Sequence, residues 1–580
     1  MDTEKIVSTI KQLEDDWAAR NADAEVDEKL LQVDQAPQNP DDKKFEHYRS
    51  NRARTTFDVS LALLSMELPE ITLPIEDESK TEKDRMNKVE RLCYGILREL
   101  ETANIAAGRG GFLREAVYWA LRWGIVAFPR IETEGRTQPE FICDLYDPFE
   151  HYPEWDRRGL SKLARVYFTT QDAIDGMMEE RKGQEGWEIP DIDRQGQKEM
   201  RVSSLWWMEG GKPWYTVLIQ DKMWKTAKAY PEWTGIPVKV MPANGSPRRA
   251  RPNDKDWRAF VGQCILAPNR KMFPVIDRYS SFEMQMAYNA AFPMRVTYTS
   301  DGTPPTEQPI GPGEEANLRI GQKIELLTAS AGPMQAMANT IGELSEDIQK
   351  GGLNDIAFGT TRFPLAGIAI AQLKPLQHRL GPYQNVIQEF FRGMFMGFVG
   401  DLDKTEFTSI SLVAREHGPR KGYMPTDFKK EDIPQVKYIE VRLPLGMQVE
   451  KLQNVQMAGM LWGRLSDETI MTDYLGIEDV GQEQDRRGAD KAQDVMDSLK
   501  TIDLLEDEAE RAAAKGLRRY AERLRRTAAR IEEGMGEGGP GAEGELGTPS
   551  MPNAAFGGTA AMPGQMAGRM PQQNGGEMNG

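Results

Sequence analysis

The sequence predicts an α+β fold in which helices predominate, and three observations carry that expectation. Apolar residues recur at helical spacing over most of the first 128 residues and again toward the C-terminus. From Arg130 the pattern shifts to strand-like runs punctuated by turn residues, as antiparallel strands require. Between 275 and 350, two amphipathic helical segments flank an insert broken by proline and glycine.

Taken in order, residues 3–21 form a helix whose Ile6, Ile10, Leu13 and Trp17 make an apolar stripe, followed by a polar, proline-marked linker ending near residue 42. A second helix over 43–66 carries Phe45, Tyr48, Phe57, Leu61 and Leu64 until MELPEITLP breaks it. Helices over 82–106 and 111–128 follow, and Pro129 ends the latter. PEFICDLYDPFEHYP reads as strand then turn. LARVYFTT reads as a strand entering the helix TTQDAIDGMMEER, with Thr170 as N-cap. VSSLWWMEGGKPWYTVLIQDKMWKTA predicts a meander turning at Gly210-Gly211 and Asp221-Lys222, and GIPVKVMPA adds a strand.

The first of the paired helices, 275–292, places Ile276, Tyr279, Phe282 and Met286 on one face. The second, 333–350, does so with Met334, Met337, Ile341, Leu344 and Ile348. Between them, over 293–332, MRVTYTS and IGQKIELLT read as strands around DGTPPTEQPIGPGEE, which cannot carry regular structure. An apolar loop, GTTRFPLAGIAIAQLKP, spans 359–375. A long helix over 376–398 follows, with Pro382 as a kink or restart, then strands at FTSISLVA and KYIEVRLPL. Residues 448–533 are helical and increasingly charged, and 534–580 hold too few large apolar side chains to offset chain entropy, so disorder is expected there.

With 580 residues, 39% of them hydrophobic, the chain can bury a real core across three or four structural units. Its longest apolar runs, such as AVYWALRWGIVAF, contain arginine and fall short of the ~20 residues that cross a bilayer, so no membrane partner is expected. The acidic, amphipathic start lacks the pattern of a signal peptide, and the protein is expected to stay where it is made. Cys93, Cys143 and Cys264 lie far apart in apolar sequence and read as reduced, buried thiols. A net charge of −17 argues against gripping DNA over the whole surface, and is compatible with a passage through which DNA slides. Such acidity is also ordinary among soluble proteins.

The order of helical body, α+β middle, helix/strand insert/helix, apolar loop, long helix and helical C-terminus resembles tailed-bacteriophage portal (head-tail connector) proteins. AVYWALRWGIVAFPRIE followed by CDLYDPFEHYPEWD is similar to the portal wing segment. LPLGMQVEKLQNVQMAGMLWGRLSDETIMTDYLGIEDVGQEQDR resembles the C-terminal portal pattern, and the loop after Lys350 resembles a tunnel loop. The resemblance covers most of 43–500 and includes no catalytic signature. It implies a ring of about a dozen copies of the chain at one capsid vertex of the virion, assembled in the host cytoplasm, with a channel for double-stranded DNA. Further implied partners are the major capsid protein, a scaffolding protein, the terminase large subunit as packaging motor, and a head-tail adaptor. Mapped onto this chain, the wing is 43–274, the stem helices are 275–292 and 333–350, and the clip is 293–332. The segment 351–447 holds the tunnel loop, long helix and wing strands, and the crown is 448–533.

Several residues are candidates for particular roles. Stem packing falls to Ile276, Tyr279, Phe282, Met286, Ile341, Leu344 and Ile348. Arg362, Phe363, Lys374 and Lys350 are candidates for the DNA channel, since one basic residue repeats around a ring. The alternative is that Ile368, Ile370 and Leu373 simply pack the loop into the body. Over 511–530 there are eight basic residues and one acid, with Arg511, Lys515 and Arg519, and then Arg526 and Arg530, at helical spacing. This helix either pairs with the acidic DLLEDEAE before it or faces DNA.

His151 among Asp144, Asp147, Glu150, Glu154 and Asp156 matches no metal-site spacing and reads as a solvated acidic turn, so no metal is expected. GRGG at 108–111 lacks the Lys-Ser/Thr of a phosphate loop and reads as a connector. Trp206, Trp207, Trp214, Trp224 and Trp233 read as the packing face of a sheet in preference to a base-stacking surface. No cofactor and no enzymatic activity are expected, because no nucleophile, base or paired-carboxylate motif is present. Two other classes stand beside the portal reading: a DNA-processing enzyme of a mobile element, and a capsid-associated scaffold without a channel.

Overall fold

The computed structural model describes residues 2–34, 47–74, 80–133, 138–190, 199–245, 255–291, 294–298, 323–327, 331–352, 366–415, 423–433, 436–445, 466, 470, 500–515 and 517–536. Two units make up the chain, Met1–Val449 and Glu450–Gly580. The fold is α+β, with several small sheets in which, among the described residues, every strand pairing is antiparallel.

α1 (Thr3–Asp16) and α2 (Ala18–Gln32) form an N-terminal arm. Instead of one helix over 3–21 and then linker, the chain breaks at Trp17 (ψ 6°) and continues helical to Gln32. Apolar periodicity misses α2 because charge helps to anchor it: Arg20 and Asp27 are buried beside Ala24 and Leu30. α3 (Arg52–Ser65) starts later than expected, residues 47–51 being coil. β1 (Glu70–Thr72), α4 (Lys80–Ala106) and α5 (Phe112–Arg122) follow.

The helix expected to reach 128 ends at Arg122, because GIVAF turns into β2 (Gly124–Glu132). Gly124 makes this possible, since a Cβ there would collide with the Met241 backbone at a φ of +155°. Pro129 therefore lies inside a strand, beyond the four residues that β9 covers, where only β3 flanks it.

β3 (Glu140–Tyr146) pairs with β2, and a short turn of 3-10 helix leads to β4 (His151–Asp156). β5 (Gly159–Thr170) runs into α6 (Gln171–Arg181), where the Thr170 hydroxyl accepts from Ala173 N at 3.4 Å as the expected N-cap. β6 (Glu199–Glu209), β7 (Lys212–Ile219) and β8 (Lys222–Ala229) complete a five-stranded meander ordered β4-β5-β6-β7-β8. Its first turn is Gly210-Gly211, and its second is Gln220-Asp221, one residue before the expected pair. Leu205 and Trp207 alternate with Val202 and Trp206, yet all four are buried, so both faces of this sheet are covered. β9 (Lys239–Pro242) joins β2 rather than the meander.

α7 (Met272–Ala291), β10 (Met294–Tyr298), β11 (Lys323–Leu327) and α8 (Ala331–Gly351) realise the helix/strand/strand/helix pattern. α9 (Ala366–Lys404) is longer than expected and contains both Pro375 and Pro382. The second half of the expected 359–375 loop is thus its first turns, as good helix formers such as Ala369, Ala371, Gln372 and Leu373 allow. Leu380, Tyr383, Ile387, Phe391 and Phe395 bury its inner face in the largest core. β12 (Ser409–Arg415) pairs with β13 (Tyr423–Lys429), a strand hidden in the sequence by Pro425. β14 (Glu440–Arg442) returns to pair with β1.

In the second unit, residues 500–514 are helical and α10 (Arg518–Gly536) follows. The single helix expected over 511–530 is broken near 515–517, where Leu517 N donates to Ala512 O at 3.0 Å. α10 also extends to Gly536, past the expected start of the tail at 534.

Candidate functional site

α7 and α8 pack side by side, and the β10–β11 pair closes their far end. Their near ends are fixed to the body by hydrogen bonds that each use a polar side chain the apolar pattern does not mark. Ser50 N donates to Asp277 Oδ1 at 3.2 Å, and Tyr48 N donates to Ser281 Oγ at 2.9 Å. Arg52 donates to Ser345 Oγ at 2.7 Å, and Asn269 Nδ2 donates to Ile348 O at 2.7 Å. Gly351 lies so close to the Asn269 amide that a Cβ would clash with it. Phe273, Ile276 and Ile348 are buried here in the body's own core.

Away from that base the apolar side chains become exposed. Tyr279, Met286, Met337, Ile341 and Leu344 are half-buried. Val275 is 36% exposed, Phe282 40%, Met284 43%, Tyr288 52%, and Tyr298 on β10 52%. Of the stem-packing candidates, Ile276 and Ile348 are therefore consumed within one chain, and Phe282 presents apolar surface outward. Met284 and Tyr288 belong with it and were not singled out by sequence. They fall off the stripe of Ile276, Tyr279, Phe282 and Met286 and continue that of Asp277 and Ser281, whose polarity masks the pattern. The 299–322 turn segment and the side chain of Met334 lie outside the described residues.

Of the channel candidates, Lys350 alone has a described side chain. Arg362 and Phe363 lie outside the described residues, and Lys374 sits within α9, its side chain likewise outside. Lys350 is exposed and pairs with Glu346 at 3.0 Å and Asp347 at 3.8 Å on its own helix. The Glu346 carboxylate hydrogen-bonded to it holds its ammonium above the usual lysine range. In the second unit, Arg511 and Lys515 precede the break, while Arg519, Arg526 and Arg530 follow it on α10. Arg511 pairs with Asp507 at 4.0 Å, so part of the expected pairing with the acidic stretch is present.

The acidic turn around His151 is solvated at Asp156 and in part at Glu154, but not at the histidine itself. His151 is buried and stacks on Tyr146 with ring centroids 5.3 Å apart, and its Nδ1 is 2.8 Å from Asp147 O. Burial, with Arg165 nearby, pushes its imidazole down to about 3. Glu150 pairs with Arg165, Glu154 with Lys162 and Asp144 with Arg130, so these carboxylates are committed to cations. Among the described residues no group of His, Cys, Asp and Glu could hold a metal ion. A cavity of about 160 Å³ beside His151 is walled by Phe128, Tyr146, Arg165, Trp206 and Tyr215. The tryptophans are packing residues: Trp206 stacks on Tyr215 at 4.3 Å, Trp207 on Trp214 at 6.0 Å, and Trp187 meets Trp224 edge-on at 4.7 Å.

All three cysteines are buried and free, and burial pushes each thiol up. GRGG connects α4 to α5, as expected. The anion at the α5 N-terminus is the chain's own Glu101, which accepts from Phe112 N at 2.7 Å and Leu113 N at 2.9 Å. No described helix is long and apolar enough to cross a membrane. Compared with known proteins, the chain matches no family model, and no curated protein matches its sequence.

Proposed function

We propose that this chain is the protomer of a portal ring, a conduit for double-stranded DNA at one vertex of a tailed-phage capsid. The observation that carries the proposal is the excursion α7–β10–β11–α8. It is anchored at its base by buried polar contacts and leaves Val275, Phe282, Met284 and Tyr288 substantially exposed along α7. Burying one half-exposed side chain of this size gains on the order of 1 kcal/mol, and a second copy placed alongside gains it at every repeat of a closed ring. In this reading α7 and α8 are the stem, β10–β11 and the segment between them form the clip that meets the terminase motor and later the adaptor, and the α+β body is the wing. The helical second unit is the crown. The role is geometric, with no chemical step assigned to any residue.

Electron microscopy of the purified full-length chain tests the proposal. Rings of uniform size with a central hole are expected. Monomers or irregular aggregates at micromolar concentration overturn it.

A further inference from the structure

We infer that the arginine face of α10, made by Arg518, Arg519, Arg523, Arg525 and Arg526, is a contact surface for the phosphates of double-stranded DNA. The inference rests on the proposed function only for the choice of DNA as the polyanion.

α10 has two distinct sides. Ala521 and Ala528 are buried, and Leu524, half-buried, packs with Ala521 against Ala509 and Ala512 of the preceding helical stretch. The five arginines are all exposed. At 3.6 residues per turn they fall within an arc of roughly 160°, over about 12 Å of helix. Glu522 is the lone acid among them, which leaves five positive charges against one negative between 518 and 526. In a chain of net charge −17 this is a sharp local reversal of sign.

Among the described residues the reversal is not spent on internal pairing. The stretch 500–514 carries Asp503, Glu506, Asp507, Glu508 and Glu510, and the alanine seam brings it close to α10. Even so, among the described residues no ion pair joins any of the five arginines to a carboxylate, and Arg511–Asp507 is an intrahelical pair before the break. Like charges at Arg519/Arg523 and Arg523/Arg526 weaken the helix by a few tenths of a kcal/mol each. A ligand bearing a row of phosphates removes that repulsion, and guanidinium matches phosphate in geometry as well as charge.

The opposite face decides between polyanions. A helix that lies on an anionic membrane needs large apolar residues opposite its basic side. Here Ala521 and Leu524 on that side are already packed against Ala509 and Ala512, and Ala528 is buried, which leaves Tyr520 as the one large exposed side chain there among the described residues of α10. A rigid duplex asks only for the exposed charged face.

The test uses full-length protein, a labelled DNA duplex and fluorescence anisotropy over a salt series. Replacing all five arginines with Gln is expected to make the plot of log K against log salt shallower by about 0.9 for each phosphate no longer neutralised, up to about 4.5 in all. A control variant, R157Q/R158Q, removes two exposed arginines of the β4–β5 turn and leaves the slope unchanged. If the five-fold variant loses helical circular dichroism, R518Q and R526Q measured singly should each lower the slope by about 0.9. An unchanged slope in folded variants overturns the inference, as does tighter binding of the wild type to phosphatidylserine vesicles than to the duplex. Microscopy of the same samples keeps the two proposals apart. Rings with an unchanged slope sink this inference alone, and an arginine-dependent slope in a sample without rings sinks the portal proposal alone.

Discussion

The N-terminal arm on its tryptophan-rich sheet and the α7–α8 excursion are both amphipathic helices leading from strand-bearing bodies, yet they finish their packing differently. On the arm, Ile6, Ile10, Leu13 and Trp17 are all buried within the chain. Ion pairs fix the polar side: Glu14 with Arg201, Asp16 with Arg258 at 3.0 Å, Asp27 with Arg270 at 2.7 Å, and Glu28 with Arg122. Arg20 is the extreme case, with its guanidinium 4.6 Å from the Trp17 ring and 5.0 Å from that of Trp123 while donating to Pro148 O. Burial pulls its pKa down, but it stays charged at neutral pH. The excursion, by contrast, leaves Phe282, Met284 and Tyr288 40–52% exposed beyond its base. Equal amphipathicity thus marks a surface to be buried and does not say which chain buries it.

The largest expected effect tests how internal the arm is. Trp17→Ala removes a fully buried ring, its Nε1 hydrogen bond to Pro153 O at 3.0 Å, and edge contacts with Trp123 and Trp155. A loss of about 3–5 kcal/mol is expected in urea unfolding of the first unit. A loss below about 1 kcal/mol would show that the arm is a loose attachment and erase the contrast with the excursion.

Arg270→Ala comes next, at about 3 kcal/mol, because it strands Asp27, which is only 2% exposed, inside the protein. Burial already raises the Asp27 carboxyl, and Arg270 holds that rise in check through two hydrogen bonds. Without the arginine it rises further. A raised carboxyl pKa favours the folded state at low pH and loses that advantage as pH climbs through it. The variant should therefore be closer to wild type at pH 5 than at pH 7. Adding Asp27→Asn should recover part of the loss at pH 7, and a purely additive cycle would deny the coupling.

These anchors also explain what the sequence could and could not show. The Trp-rich meander, the Thr170 cap and the paired helices were legible because each rests on local periodicity or turn chemistry. α2 was not, since Arg20 and Asp27 are buried by partners more than a hundred residues away. β2 was misread as helix because AVYWALRWGIVAF keeps helical spacing to its end, and only the close approach of Met241 to Gly124 forces the switch. The break before α10 escaped notice because charge spacing continued across it. Of the candidate site, the exposed apolar surface was half visible: Phe282 followed the apolar pattern, while Met284 and Tyr288, on another side of α7, trailed polar Asp277 and Ser281.

A smaller, conditional effect concerns the body side of the comparison. His151 is held neutral down to about pH 3, whereas in the unfolded chain it takes a proton near pH 6.5. Its contribution is therefore complete above pH 6.5 and drains away as pH falls toward 3, by at most ~1.4 kcal/mol per pH unit. His151→Phe keeps a ring against Tyr146 and removes the titration. Its unfolding free energy should fall less steeply than the wild type's between pH 6.5 and 5, and parallel curves would count against a buried neutral imidazole.

The smallest expected change in stability is the one that bears most directly on the excursion. Val275→Ser with Met284→Ser removes apolar surface that is already 36% and 43% exposed. The unfolding free energy of the chain should therefore move by no more than roughly 0.5 kcal/mol for each site. If that surface is completed by a second copy, the same pair of changes recurs at every interface of a ring, and assembly measured by light scattering should fall steeply while the fold is retained. A variant that assembles normally would place both of these sides of α7 in solvent permanently. A variant that unfolds would instead show that the chain buries these sides itself, and the excursion would then resemble the N-terminal arm after all.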